Sequence, residues 1–163
     1  MSVQMSYGYS TPRGIAGGLY DQSPYVVDSR LNEAANGKLL FGMGVVQGSA
    51  PGVNINLPAA GATVSAFEGI VVNGFNQQHD LEGKIFLNKN QSVGVLREGR
   101  IWARLGADVE PSYGDDVYLI ISGDETGLFT NTAADGSTLK LNAKFIAGKG
   151  TGAVAPVTLY AGE

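Results

Sequence analysis

Apolar and polar positions alternate along residues 93–105, V-G-V-L-R-E-G-R-I-W-A-R-L, with the two-residue period of a half-buried strand. Glu98-Gly99 stands in the middle of the run. A two-residue connection ending in Gly favours the primed turns that match strand twist, so the run predicts a tight β-hairpin. In that hairpin Leu96 faces Ile101 on one side. On the other side Arg97 lies opposite Arg100 and Val95 opposite Trp102, with Arg104 beyond. Like charges directly opposite each other cost stability, so this face is expected to meet water or an acidic partner surface.

Similar short runs fill the rest of the chain. Residues 25–31 read as a strand with Tyr25, Val27 and Ser29 on one face. A second covers 39–47, where glycines suggest a bulge or close backbone packing. Val53, Ile55 and Leu57 alternate inward until Pro58 stops the strand. Further strands are expected over 67–73, 117–122, 128–130, 141–147 and 154–160. Asn36-Gly37, Asn73-Gly74, Gly114-Asp115 and the glycines of 123–127 and 148–152 mark turns between them. Residues 75–90 form a long polar loop, pinned by Ile85, Phe86 and Leu87. The segment 29–36 is a weak helix candidate, and no helix is expected there.

About nine or ten short strands separated by turns predict an all-β domain, a compact sandwich or barrel of jelly-roll-like form. Residues 1–24 differ, with Tyr7, Tyr9, Ile15, Leu19 and Tyr20 set among Gly, Ser and Pro in no strand or helix period. Aromatic anchors on such a backbone suit an extended N-terminal arm that orders against its own domain or a neighbour. The expected organisation is therefore an arm over 1–24 and one β domain over 25–163.

Composition narrows what that domain can do. Only 16% of the 163 residues are charged, well below the roughly 25% of an average soluble domain, so Gly, Ser, Thr, Asn, Gln or another protein must cover the surface. A net charge of −4 argues against general nucleic-acid binding. The absence of cysteine excludes disulfides, thiolate metal sites and cysteine nucleophiles. No run reaches the ~18 apolar residues of a membrane helix. The first residues lack the basic-then-apolar pattern of a signal peptide, so a product used without export is expected.

Candidate chemistry is sparse. His79, the single histidine, has the Asp80 neighbour of a general base, but no activated serine motif or second histidine accompanies it. Asp115, Asp116, Asp124 and Glu125 offer oxygen ligands for Ca²⁺, yet their spacing matches no EF-hand loop, and Gly-Asp before a strand is ordinary turn chemistry. Residues 148–152, G-K-G-T-G, lack the spacing and following helix of a phosphate-binding loop and read as a hairpin connection. No nucleophile, base and orienting group can be assembled, so neither enzymatic activity nor a catalytic, metal or cofactor site is expected. Arg97, Arg100 and Arg104 beside the single tryptophan, Trp102, are instead the residue types that anchor protein interfaces. Their alternative is pairing with local carboxylates such as Glu98 or Asp108.

Taken in order, S-T-P-R-G-I-A-G-G-L-Y-D with Y-V-V-D-S-R, then L-L-F-G-M-G-V-V-Q-G, V-G-V-L-R-E-G-R-I-W-A-R-L, G-D-D-V-Y-L and A-K-F-I-A-G…A-P-V-T-L-Y resemble the tailed-phage structural cement (head decoration) proteins of the Gp24-like family. The likeness runs nearly end to end; residues 75–90 match no motif. It implies a late virion protein, assembled in the host cytoplasm, that binds the outer surface of the assembled head. There it would reinforce contacts between major capsid proteins, and itself form a homodimer or homotrimer on a local symmetry axis, with no nucleic-acid or membrane partner. The expected interface residues are Tyr7, Tyr9, Arg13, Ile15, Leu19, Tyr20, Arg97, Arg100, Trp102 and Arg104. The competing reading is another virion β-module, a tail or head-fibre base, or a carbohydrate-binding domain using Trp102 and Tyr113.

Overall fold

The computed structural model describes residues 14–74, the main chain of Gln78–His79, and residues 81–83 and 85–160. Among them the strands are β1 (Val26–Asn32), β2 (Gly44–Gln47), β3 (Asn54–Asn56), β4 (Phe67–Val71), β5 (Gln78–His79), β6 (Ile85–Phe86), β7 (Ser92–Arg104), β8 (Asp116–Ile120), β9 (Phe129–Thr130), β10 (Thr138–Phe145) and β11 (Val154–Leu159). A single 3₁₀ turn, Val64–Ala66, is the one helical element among the described residues. The fold is all-β, as its turn-punctuated sequence predicts.

Strand β7 organises it. Its first half pairs with β1 on one edge and β4 on the other, and β3 and β2 complete a ring of five strands: β1-β3-β2-β4-β7. Only β1–β3 is parallel. The second half of β7 pairs with β11, which starts an antiparallel layer continuing through β10 and β8 to β9. Strands β5 and β6 form a separate ribbon.

The expected hairpin at Glu98-Gly99 does not form, because β7 continues through it for 13 residues. The partners are long-range ones: Glu98 stands opposite Val26, and Gly99 opposite Leu159. Gly99 holds φ at +126° and is buried under Tyr25, where a Cβ would lie 2.8 Å from the tyrosine's own. Val53 also departs from expectation, being 52% exposed. Its N–H bonds to the Ala50 carbonyl in the preceding turn, so β3 begins one residue later and carries Ile55 inward alone, with Leu57 half-buried beyond it.

Two apolar clusters follow from this plan. Val45, Ile55, Val71, Val93 and Val95 line the ring, with Leu39, Phe41, Met43 and Leu87 packed among them. Ile101, Ala103, Val117, Leu119, Phe129, Phe145 and Val157 fill the other cluster, which Ile70 and Leu96 join from the ring strands. Burying each large side chain contributes roughly 1.5–3 kcal/mol relative to leaving it in water.

The register places Arg30 beside Val93 and Asp28 beside Val95, on the inner side of the ring. Asn32, on the same face of β1, is fully buried, donating to the Asn88 carbonyl and accepting from the Ala34 N–H. The Glu68 carboxylate is buried near these charges, 3.7 Å from Arg30 Nε and 3.5 Å from Arg97. Two arginines thus face one buried carboxylate across the ring.

Candidate functional site

The expected interface residues of β7 divide between two places. Beyond Gly99, strand alternation buries Ile101, Ala103 and Leu105 in the core and turns Arg100, Trp102 and Arg104 to the opposite side. Arg97 is not among them. It lies at the register irregularity between Leu96 and Glu98 and reaches Asp28 and Glu68, both at 3.5 Å. Its ion-pair partners thus come from β1 and β4 rather than from the sequence-local Glu98 or Asp108.

The free edge of the second half of β7 is covered by the described end of the arm. Gly17 N–H donates to the Trp102 carbonyl at 2.8 Å, and Trp102 N–H returns a bond to the Gly18 carbonyl at 2.9 Å. Tyr20 N–H bonds the Arg100 carbonyl at 3.1 Å, Leu19 bridges to Ile101, and Asn73 N–H holds the Gly17 carbonyl at 2.8 Å. Residues 14–21 therefore behave as a strap on this chain's own strand. Gly17 is required at its position: at φ +75°, a Cβ there would sit 2.8 Å from the Val71 carbonyl oxygen and the Asn73 nitrogen.

Side chains reinforce the strap. Tyr20 stands 5.7 Å from the Trp102 ring at 54°, a tilted aromatic pair. Gly14 lies so close to the indole that a Cβ would enter the ring. That contact covers a face of Trp102 which a sugar would need for stacking. Arg100 bonds Asp21 at 2.8 Å. The Asp21 carboxyl is held below its usual range, chiefly by hydrogen bonds from the Ser23 hydroxyl and N–H, with Arg100 adding to them. Leu19 packs against the core, while Ile15 and Tyr20 remain exposed. Tyr7, Tyr9 and Arg13 lie outside the described residues, as do the His79 side chain and Asp80.

Arg104 closes the far end of this face. Its Nε donates to the Phe41 carbonyl at 2.6 Å, and burial lowers the pKa of its guanidinium. Beside it opens a cleft of about 330 Å³ lined by Ile15, Ala16, Leu40, Phe41, Ile85 and Phe86, among others. Asp21, Phe41 and Gly14 were not singled out from the sequence. Only the D-x-S spacing of Asp21, typical of a side-chain-capped turn, could have drawn attention to one of them.

The carboxylates considered as cation ligands are engaged separately. Asp115 accepts from the Ser112 N–H and the Asn131 amide, Asp116 from Lys140 and Lys144, and Glu125 from the Ala107 N–H. Residues 148–152 connect β10 to β11, with Gly150 N–H bonded to the Val154 carbonyl.

Residues 3–160 match a family model described as "Structural cement protein (E217 gp24/Pam3 gp6)". Among solved structures, a chain from "The capsid of Myoviridae Phage XM1" is similar, with a TM-score of 0.72 and 20% identity over 98% of each chain. At that identity the likeness is one of fold. No curated protein matches.

Proposed function

Because the chain belongs to the phage structural cement proteins, and so has a structural role in the capsid, we propose that it binds the outer surface of the assembled head and braces contacts between major capsid proteins. The observation that carries this reading is the family match from residue 3 to residue 160, which takes in the arm as well as the β domain. The strap geometry supports it: residues 14–21 are tied to β7, so any grip that residues 1–13 take on a neighbouring protein is anchored to the core of this one. A protein that binds the assembled shell and not its dissociated subunits stabilises the shell by mass action, and many symmetry-related copies add avidity. Self-association as a dimer or trimer on a local symmetry axis belongs to the same proposal.

Co-sedimentation with undecorated expanded capsids, beside immature shells, tests it. Saturable binding to expanded shells together with greater heat resistance is the expected result. Removing residues 1–13 is expected to abolish binding while leaving the melting temperature of the free protein unchanged. Undiminished binding of that truncation would remove the arm from the proposal, and failure of the full chain to bind either shell would overturn it.

A further inference from the structure

The arginines of the described residues fall into two kinds. Arg30 has Asp28 at 3.0 Å, Arg97 has Glu68 at 3.5 Å, and Arg100 has Asp21 at 2.8 Å. Arg104 has no carboxylate. Its Nε is committed to the Phe41 carbonyl, and its terminal nitrogens make no hydrogen bond or ion pair with a described residue. A half-buried cation without a counter-charge is costly, and burial already disfavours its charged form. The adjoining cleft is walled by Leu40, Phe41 and Phe86, with the exposed side chains of Ile15 and Ile85. An open guanidinium fork beside apolar walls suits a carboxylate that arrives with apolar neighbours.

We infer that the Arg104 cleft receives an Asp or Glu side chain, flanked by apolar residues, from the capsid protein beneath. The inference rests on the cement reading and names the chemistry of its contact. Residues 1–13 contain neither Asp nor Glu, so the chain's own arm cannot supply the charge. Charge complementarity together with the apolar walls therefore selects an acidic, partly apolar segment of another protein. Once water is excluded, the bidentate pair would fix register on the shell as well as hold it.

The test is capsid co-sedimentation of the full-length protein, titrated at low and high NaCl, for the wild type and for R104Q, R104K, I15D and D80N. Thermal melts of each free variant serve as folding controls. R104Q is expected to bind roughly thirtyfold or more weakly, as for loss of one partner of a desolvated pair. R104K recovers only part of the loss, because a point charge replaces the fork. I15D leaves Arg104 intact but sets a negative charge beside the cleft, and should also weaken binding; D80N should bind as wild type. Wild-type affinity for both R104Q and I15D would overturn the cleft and leave the cement reading standing. A D80N loss equal to that of R104Q would identify Asp80 as an internal partner and overturn it too. No binding by the wild type would take down both readings together.

Discussion

Replacing Gly69 by alanine tests whether the seam between β4 and β7 is as constrained as the backbone implies. Gly69 holds φ at +145°, which side chains rarely adopt, and a Cβ there would lie 2.1 Å from the Leu96 carbonyl oxygen. The obstacle is main chain in the shared strand, so no rotamer change relieves it. Only two register pairs, Ile70 with Leu96 and Val71 with Val95, join β4 to β7. Shifting Leu96 therefore disturbs one of the two rungs that close the ring there. The disfavoured backbone costs about 1–3 kcal/mol and the forced displacement about 1–3 more, so G69A should lose about 4 kcal/mol. For a chain of this length that is a fall in melting temperature of roughly 8–16 °C.

Gly52 supplies the control. It too has positive φ, +81°, but nothing within 4 Å of its would-be Cβ. G52A should cost only the left-handed penalty of about 1–2 kcal/mol. Urea titrations of the two variants beside wild type, with the slope checked for constancy, compare them directly. If G69A is destabilised no more than G52A, then Leu96 yields freely, and the claim that this seam is rigid is wrong.

Three further outcomes are expected. E68A should lose about 1–3 kcal/mol in urea, because it removes the buried carboxylate that Arg30 and Arg97 share and leaves Arg30 with Asp28 alone, whereas R97A, at 44% side-chain exposure, should lose no more than about 1 kcal/mol; equal losses would contradict that ranking. Asp116 is held at about 2, against an ordinary 3.8, chiefly by hydrogen bonds from Lys140 and Lys144. Its stabilising effect is therefore present above pH 3.8 and is lost as the pH falls toward 2, and D116N should flatten the stability curve in that window; an unchanged curve would remove the pair as its cause. G14V should lift the strap from Trp102, seen as red-shifted tryptophan emission and faster proteolysis within residues 14–24, and an unaltered spectrum would mean the indole is not covered as described.

The strands were legible where local pattern suffices. The apolar run ending at Ile121, the β10–β11 pair around its glycine-rich connection, and the inward Ile55 follow from alternation and turn residues within a few positions of each other. The ring was not legible, because its closure depends on β1 lying parallel to β3 and antiparallel to β7, pairings that no short window contains. The interface candidates show the same division. Alternation places Arg100, Trp102 and Arg104 together, but the counter-charges that distinguish them, Asp21 for Arg100 and none for Arg104, depend on how residues 14–21 return to β7.

The missed continuity of β7 has a specific cause. With Glu98-Gly99 as a two-residue turn, Leu96 and Ile101 point to one side and Arg97 and Arg100 to the other. In the through-strand, a register irregularity at Arg97, between Leu96 and Glu98, restores the same assignment: Leu96 and Ile101 share one cluster, while Arg97 and Arg100 are exposed. Burial of side chains cannot separate the two readings. What separates them is Gly99 itself, exposed at the tip of a hairpin but here buried beneath Tyr25 and opposite Leu159. Both topologies require a glycine, one for a turn and the other for close approach of a neighbouring strand, so the residue type carries no vote. The choice belongs to β1 and β11, which supply ladder partners to every residue of β7 except Arg97 and leave it no reason to fold back on itself.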